Sequence, residues 1–316
     1  MKKLYCILPF LLVACGAKKG GDVTTSQAYE VSQTEVTKTL EFLASDALEG
    51  RATGSVGIEK AATYLETIFK DHGIQPYFST YKDTLTNLNQ KAYNVVGYLP
   101  GTDAKLKEEF VIFSAHYDHI GRVKEAVDGD DIANGANDNA AGSTLLTEVA
   151  KYYGKNKNNK RSILFVFFSG EELGLKGSYH LADKLESKHL KWYTMLNFEM
   201  LGVPMNRPFQ VYLTGANRSN MGDVINKYAG ENTVGKLAIE MQYRLFMQSD
   251  NYPFFLKYNI PAHSVSSFDF ENFKFYHHVK DEAKLMNTEF MTKTVARLLP
   301  ALDQMVSNPV KEIKLN

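Results

Sequence analysis

The segment ILFVFFSGEELG, residues 163–174, limits this chain more than any other stretch. Every residue from Ile163 to Phe168 is large and apolar or β-branched, with no polar position to face water. A short apolar run without alternation reads as a strand covered on both faces, in a sheet with helices packed on either side. Ser169 and Gly170 then make a turn, and Glu171 and Glu172 follow side by side. Two adjacent carboxylates at a strand end repel one another, so a positive charge between or beside them is expected.

Other runs extend the pattern. Val36, Leu40 and Leu43 have helical spacing, and Tyr64, Leu65, Ile68 and Phe69 mark a second amphipathic helix closed by Gly73. Strand-like runs at 93–99 and 110–115 precede a polar, Gly/Asp-rich stretch at 120–137, which reads as a loop. Ala141, Leu145, Val149 and Tyr152 share one helical face, and after the central strand a helix is expected through Lys184. Residues 194–199, 209–213 and 262–266 read as further strands, whereas 216–260 gives no clear pattern. A last helix is striped by Met291, Val295, Leu298, Leu302 and Met305, and Pro300 is expected to kink it. Strands alternating with helices predict an α/β sheet covered on both faces. Without an internal repeat or linker, residues 31–308 read as one domain, with 309–316 as a tail. Open α/β sheets gather active residues at the carboxyl ends of their strands. His116, Glu171 and Glu199 each directly follow a strand-like run.

Net charge bounds the partners. Lysine plus arginine and aspartate plus glutamate both number 36, so no basic field points to nucleic acid. At the N-terminus Lys2 and Lys3 precede an apolar core from Leu4 to Ala14, too short to span a bilayer. Leu12-Val13-Ala14-Cys15 resembles the lipobox of bacterial lipoproteins. That resemblance implies a signal segment over 1–15, lipidation of Cys15 and anchoring to a membrane of the bacterial cell envelope. Residues 16–30 read as a flexible tether. Cys6 and Cys15 are the only cysteines, so the mature domain is expected to rely on its core and not on a disulfide.

The chemistry-bearing residues are His116 and Asp118 in AHYDHIG, Asp138 in NGANDNAAG, Glu171 and Glu172 in GEELG, Glu199 in NFEMLG and His277 in FYHH. Imidazole and carboxylate donors together suit zinc, and more than four of them suggest two ions sharing a bridging group. Each has a plain alternative. Asp138 could cap a helix, the glutamates could favour a helix N-terminus, His116 could bond to backbone, and His277 could be a surface residue with His278 as the ligand instead. His119 reads as part of a loop turn, and His72, His180, His189 and His263 receive no role.

Taken in order, GRATGSVGIEKAATYL, the His-Tyr-Asp-His run, Asn-Asp-Asn-Ala-Ala-Gly, the Glu-Glu pair and the late Tyr-His resemble the zinc aminopeptidases of peptidase family M28. The resemblance implies a three-layer α/β/α sandwich with a mixed, mostly parallel sheet, and peptides as substrates. It implies that His116 and Glu199 hold one zinc, Glu172 and His277 a second, and Asp138 bridges the pair. Asp118 would accept the other imidazole N–H of His116 and fix its ring. Glu171 would be the general base, moving a proton from the metal-bridging water to the leaving amine. Two positions depart from the family: Glu199 stands where aspartate is usual, and Asn251 where Ser-Asp-His often occurs. Asp250 could line the substrate site or cap the next helical turn. Phe268, Phe270, Phe273, Phe275 and Tyr276 could pack a strand or loop, or line a pocket for a large apolar N-terminal residue. A single-zinc glutaminyl cyclase and a non-catalytic binding protein on the same scaffold are the alternatives.

Overall fold

The computed structural model describes Met1 and residues 29–316. The expected signal segment, Cys15 and residues 16–28 of the expected tether lie outside the described residues. Tyr29, near the end of that tether, gives its hydroxyl hydrogen to the buried carboxylate of Glu148.

The helices are α1 (Gln33–Leu43), α2 (Val56–Asp71), α3 (Gly142–Asn156), α4 (Lys176–Glu186), α5 (Met221–Ala229), α6 (Glu240–Tyr243), α7 (Asn251–Tyr258) and α8 (Thr288–Ser307). The strands are β1 (Gln75–Pro76), β2 (Lys82–Thr84), β3 (Tyr93–Leu99), β4 (Glu109–His116), β5 (Gly121–Val127), β6 (Asp130–Ala133), β7 (Ser162–Phe168), β8 (Lys191–Glu199), β9 (Val211–Leu213), β10 (Val234–Gly235) and β11 (Ala262–Ser266). Nine of these strands form one sheet in the order β1-β3-β7-β4-β8-β11-β9-β10, with β2 paired to β3. Its centre, β7-β4-β8-β11, is parallel, while β3 joins β7 and β9 joins β11 in antiparallel fashion.

The unbroken apolar run of β7 explains the layering. Ile163, Phe165 and Phe167 of β7 enter one core with side chains of α1, α2, α3 and α8. Leu164, Val166 and Phe168 enter a second core beneath α4 and α7. In β4, Val111, Phe113 and Ala115 join the first core, and Phe110 and Ile112 the second. Burying each such large side chain is worth about 1.5–3 kcal/mol, so a polar residue on either face of β7 sacrifices stability. The result is the three-layer α/β/α arrangement implied by the sequence.

Capping sets two helix starts: Ser55 accepts from Ile58 N–H at 3.2 Å and Asn287 from Phe290 N–H at 2.8 Å. The stretch expected to be a loop at 120–137 instead holds the β5–β6 hairpin. Its strand β5 is largely exposed and charged, so no apolar pattern marked it. The unpatterned region 216–260 contains α5, α6 and α7, all short. Helix α8 continues through Pro300, which lies on an exposed position. The last residues pack back on the domain, with Ile313 buried and the Lys314 N–H donated to Asn220 at 2.7 Å.

Candidate metal centre

Parallel strands put their carboxyl ends on one edge, and that edge carries the site. His116 closes β4, Glu199 closes β8, and Glu171 and Glu172 follow β7. Asp138 arrives from the turn before α3 and His277 from the segment between β11 and α8.

Asp138 stands between two groups of donors. Its Oδ1 lies 3.3 Å from His116 Nε2, which is 3.2 Å from Glu199 Oε1. Its Oδ2 lies 3.2 Å from His277 Nε2, which is 3.0 Å from Glu172 Oε2. Both groups can hold a metal ion: His116, Asp138 and Glu199 on one side, and Asp138, Glu172, His277 and also His119 on the other. Asp138 Oδ2 is buried and has no hydrogen-bond partner among the described residues. The capping alternative for Asp138 does not hold, since the residue before α3 is Ala141 and both Asp138 oxygens face imidazoles. His278 turns away, its Nδ1 accepting from Lys280 N–H at 3.0 Å.

The turn that carries Asp138 is held on three sides. Asn137 Oδ1 accepts from Gly202 N–H at 2.9 Å, and Asn139 Oδ1 from Gly142 and Met200 N–H at 3.0 and 2.9 Å. Asp281 accepts from Asn137 and Asp138 N–H at 2.8 and 3.0 Å. Arg51, fully buried, donates only to main-chain carbonyls: Tyr117 at 2.9 Å, Asn134 at 2.6 Å, Gly135 at 3.0 Å, and Leu43. Gly50 before it has φ +67°, and a Cβ there would sit 2.4 Å from the Ala133 carbonyl oxygen. The Gly-Arg pair is thereby fixed by space as well as by conformation.

Asp118 acts differently from the expectation. The Nδ1 of His116 lies 3.2 Å from the main-chain oxygen of Asp118 and 3.7 Å from its carboxylate. That carboxylate is occupied elsewhere, accepting from Thr53 Oγ1 at 2.8 Å and Glu171 N–H at 3.3 Å. Asp118 therefore fixes the imidazole through its carbonyl and the Glu171 turn through its side chain.

The cluster is strongly coupled electrostatically. Burial alone would lower His116, but Glu199 and Glu171 hold its pKa well above the usual histidine value. Burial opposes ionisation of Asp138, yet contacts with His116 and His277 hold it far below the carboxylate range. His277 is pushed up to about 10, because Asp138 and Glu172 outweigh its partial burial. Glu171 moves the other way: burial raises it well above the usual value, with Glu199, Asp250 and Glu172 adding to the rise and His116 opposing it. The two neighbouring glutamates thus have opposite tendencies, since Glu172 is lowered by His119 and His277 despite burial.

Beside the donors lies a cavity of about 140 Å³ lined in part by Met200, Tyr212, Leu245, Phe268, Phe270 and Tyr276. The aromatic segment serves both ends: Phe270 and Tyr276 line the cavity, Phe268 lines it and also belongs to the first core, and Phe273 lies in that core with Phe275 packed against it. Asp250 precedes α7 without making a capping bond, and both its oxygens are buried with no hydrogen-bond partner among the described residues. Asn251 bonds Ser264 Oγ at 2.8 Å and the carbonyls of Phe246 and Ala262, so it braces the sheet.

A model of peptidase family M28 matches residues 94–301, most of the chain. The chain belongs to peptidase family M28. It is similar to aminopeptidase YwaD of Bacillus subtilis (strain 168), 31% identical over 126 residues that make up 40% of this chain and 25% of that protein. The chain spans about a quarter to a third of the length of the first relatives it matches. Among solved structures, the Legionella pneumophila LapA aminopeptidase shares the fold at TM-score 0.69 and 20% identity, over 89% of this chain and 73% of that one. Porphyromonas gingivalis glutaminyl cyclase shares it at TM-score 0.68 and 14% identity, over 88% of this chain and 100% of that one.

In this M28 member the sequence reading missed His119, Arg51 and Asp281 as parts of the site. His119, expected as part of a loop turn, has its Nδ1 2.9 Å from Glu172 Oε1. Spacing held no signal for Asp281, which lies far along the chain from Asp138. His263 is held by Thr214 and Ser219, outside the cluster, and burial pushes it down to about 4.

Proposed function

We propose that this M28 chain is a two-zinc aminopeptidase, and the observation that carries the reading is the placement of Asp138. Its two oxygens address two separate donor groups, as a bridging carboxylate must. The donor set fits zinc. Four ligands at zinc bond lengths of about 2.0–2.2 Å stand roughly 3.3–3.6 Å apart, close to the 3.0–3.3 Å separations here. A buried Asp138 Oδ2 with no hydrogen-bond partner among the described residues also fits a site built for a cation. His116 and Glu199 would hold one ion, Glu172 and His277 the other, and Asp138 both. When bound, the ions polarise the scissile carbonyl and lower the pKa of a bound water towards about 7.

The chain's own residues supply the proton movement. Glu171, which lines the cavity beside the donors, takes a proton from the attacking water as the C–O bond forms. It returns that proton to the amine nitrogen as the C–N bond breaks. Asp118 holds the Glu171 turn by accepting the Glu171 main-chain N–H on its carboxylate. Glu199 is longer than the family's usual aspartate, and Ser249 secures its outer oxygen at 2.7 Å. The apolar cavity suits a large apolar N-terminal side chain. From the sequence of residues 1–15 we also propose lipidation at Cys15 and a place in the bacterial cell envelope, tested by loss of acyl labelling in Cys15→Ala.

The test is a pair of peptides, one with a free and one with an acetylated N-terminus, each with a large apolar first residue. Release of that residue only from the free peptide supports the reading, as does slower turnover when the first residue is acidic or basic. Equal cleavage of both peptides overturns exopeptidase action. Cyclisation of N-terminal glutamine with one zinc per chain overturns it in favour of the cyclase. Hydrolysis unaffected by Glu171→Gln leaves the site non-catalytic.

A further inference from the structure

His119 is buried, one residue beyond Asp118, and outside the ligand set proposed above. Its Nδ1 lies 2.9 Å from Glu172 Oε1, within hydrogen-bond distance, and 3.7 Å from Asp138 Oδ2, beyond it. Its other ring nitrogen, Nε2, is buried and has no partner among the described residues. These facts select a tautomer. A ring that gave its Nδ1 lone pair to a metal would carry its proton on Nε2 and strand a buried N–H. Metal-bound histidines almost always donate their second N–H to a carboxylate, carbonyl or water. A ring with its proton on Nδ1 donates to Glu172 and leaves only a lone pair unmet, which buried groups tolerate better than a stranded N–H. The ring has little room to turn. Gly135 has φ +57°, and a Cβ added there would lie 2.5 Å from the His119 ring. The His119 main-chain N–H is donated to Arg51 O at 3.2 Å, and its ring meets that of His277 edge-on with centroids 5.6 Å apart.

We propose that His119 is a positioning residue that holds Glu172 by donating from Nδ1 to Oε1, so that Oε2 alone faces the ion beside His277. The inference rests on the two-zinc reading. It gives Glu172 the kind of outer partner that His116 has in the Asp118 carbonyl and Glu199 has in Ser249. Gly135 is then needed because a larger residue would displace the donor. Without His119, Glu172 is free to turn and offer either oxygen, and the ion at that half of the site loses a fixed ligand.

The experiment measures zinc affinity against a chelator buffer for the wild type, His119→Ala and His119→Asn, with thermal unfolding of each ion-free protein. An outer partner of a metal ligand is typically worth 10–100-fold in affinity. His119→Ala is expected to weaken one of two ions by that factor and leave the other unchanged. His119→Asn, which keeps an N–H near the Nδ1 position, is expected to recover most of the loss. Two ions bound with unchanged affinity in His119→Ala overturn the role of His119 alone. Loss in step with ion-free unfolding temperature, without recovery in His119→Asn, makes the residue merely structural and also overturns it. A wild-type count of one ion overturns the two-zinc reading beneath it. Nitrogen NMR of ¹⁵N-histidine-labelled, zinc-loaded wild type needs no variant: a protonated Nδ1 supports the proposal, and a metal-bound Nδ1 refutes it.

Discussion

Replacing Arg51 by methionine keeps most of the buried volume and removes every polar contact of the side chain. The guanidinium makes four hydrogen bonds, all to main-chain carbonyls: Tyr117 beside His116, Asn134 and Gly135 ahead of Asp138, and Leu43 at the end of α1. Bonds to a charged group contribute about 1.5–3 kcal/mol each, so the four amount to roughly 6–12 kcal/mol gross. Against this stands the cost of burying the cation. Burial lowers Arg51 from 12.5 to about 10 even with Asp281, Asp138 and Asp118 opposing it. At 1.36 kcal/mol per unit that is roughly 3 kcal/mol of relief when the charge goes. The hydrogen bonds win, and a net loss of at least about 3 kcal/mol is expected. Urea unfolding of the ion-free protein tests this without interference from zinc. With a slope of up to about 3 kcal/mol per molar, the midpoint should fall by about 1 M or more. Arg51→Lys should lie between, because one ammonium cannot reach all the separate segments that the guanidinium fork ties together. An Arg51→Met midpoint within about 0.3 M of wild type would refute the clamp.

Two further outcomes are expected. Glu171→Gln should lose about 10²–10⁴-fold in kcat while binding zinc as the wild type does; loss of zinc in parallel with activity would make Glu171 a ligand and not the base. The ion-free protein should also show a stability maximum near neutral pH. His277 titrates near 10 folded against about 6.5 unfolded, so its contribution is full below 6.5 and lost as pH rises through about 10. Asp138 and Glu172 are lowered, so theirs is present above the ordinary carboxylate range and lost as pH falls. Thermal unfolding in chelator should therefore weaken on both sides, with the alkaline fall reduced in His277→Ala. A flat profile from pH 7 to 10.5 would contradict the ion-pair account.

What the sequence disclosed followed from how each feature is encoded. The central strands were legible because burial on both faces demands an unbroken apolar run, as in β7. The β5–β6 hairpin was not, because an exposed hairpin needs no apolar pattern. His116, Asp138, Glu172, Glu199 and His277 could be named because their residue types and order are shared with a family. Their convergence is a property of parallel β4, β7 and β8 opening on one edge. Arg51, Asp281 and His119 escaped because they act on loops or ligands brought near only by folding. Asp281 touches the Asp138 turn from 143 positions along the chain. The structure also separated His277 from its neighbour His278, which composition and spacing left open.

The most direct measurement is anomalous diffraction at the zinc edge from crystals of the zinc-loaded protein. The account predicts two peaks about 3.5–4 Å apart, one on either side of the Asp138 carboxylate. A single peak, or two that do not share Asp138, would contradict it.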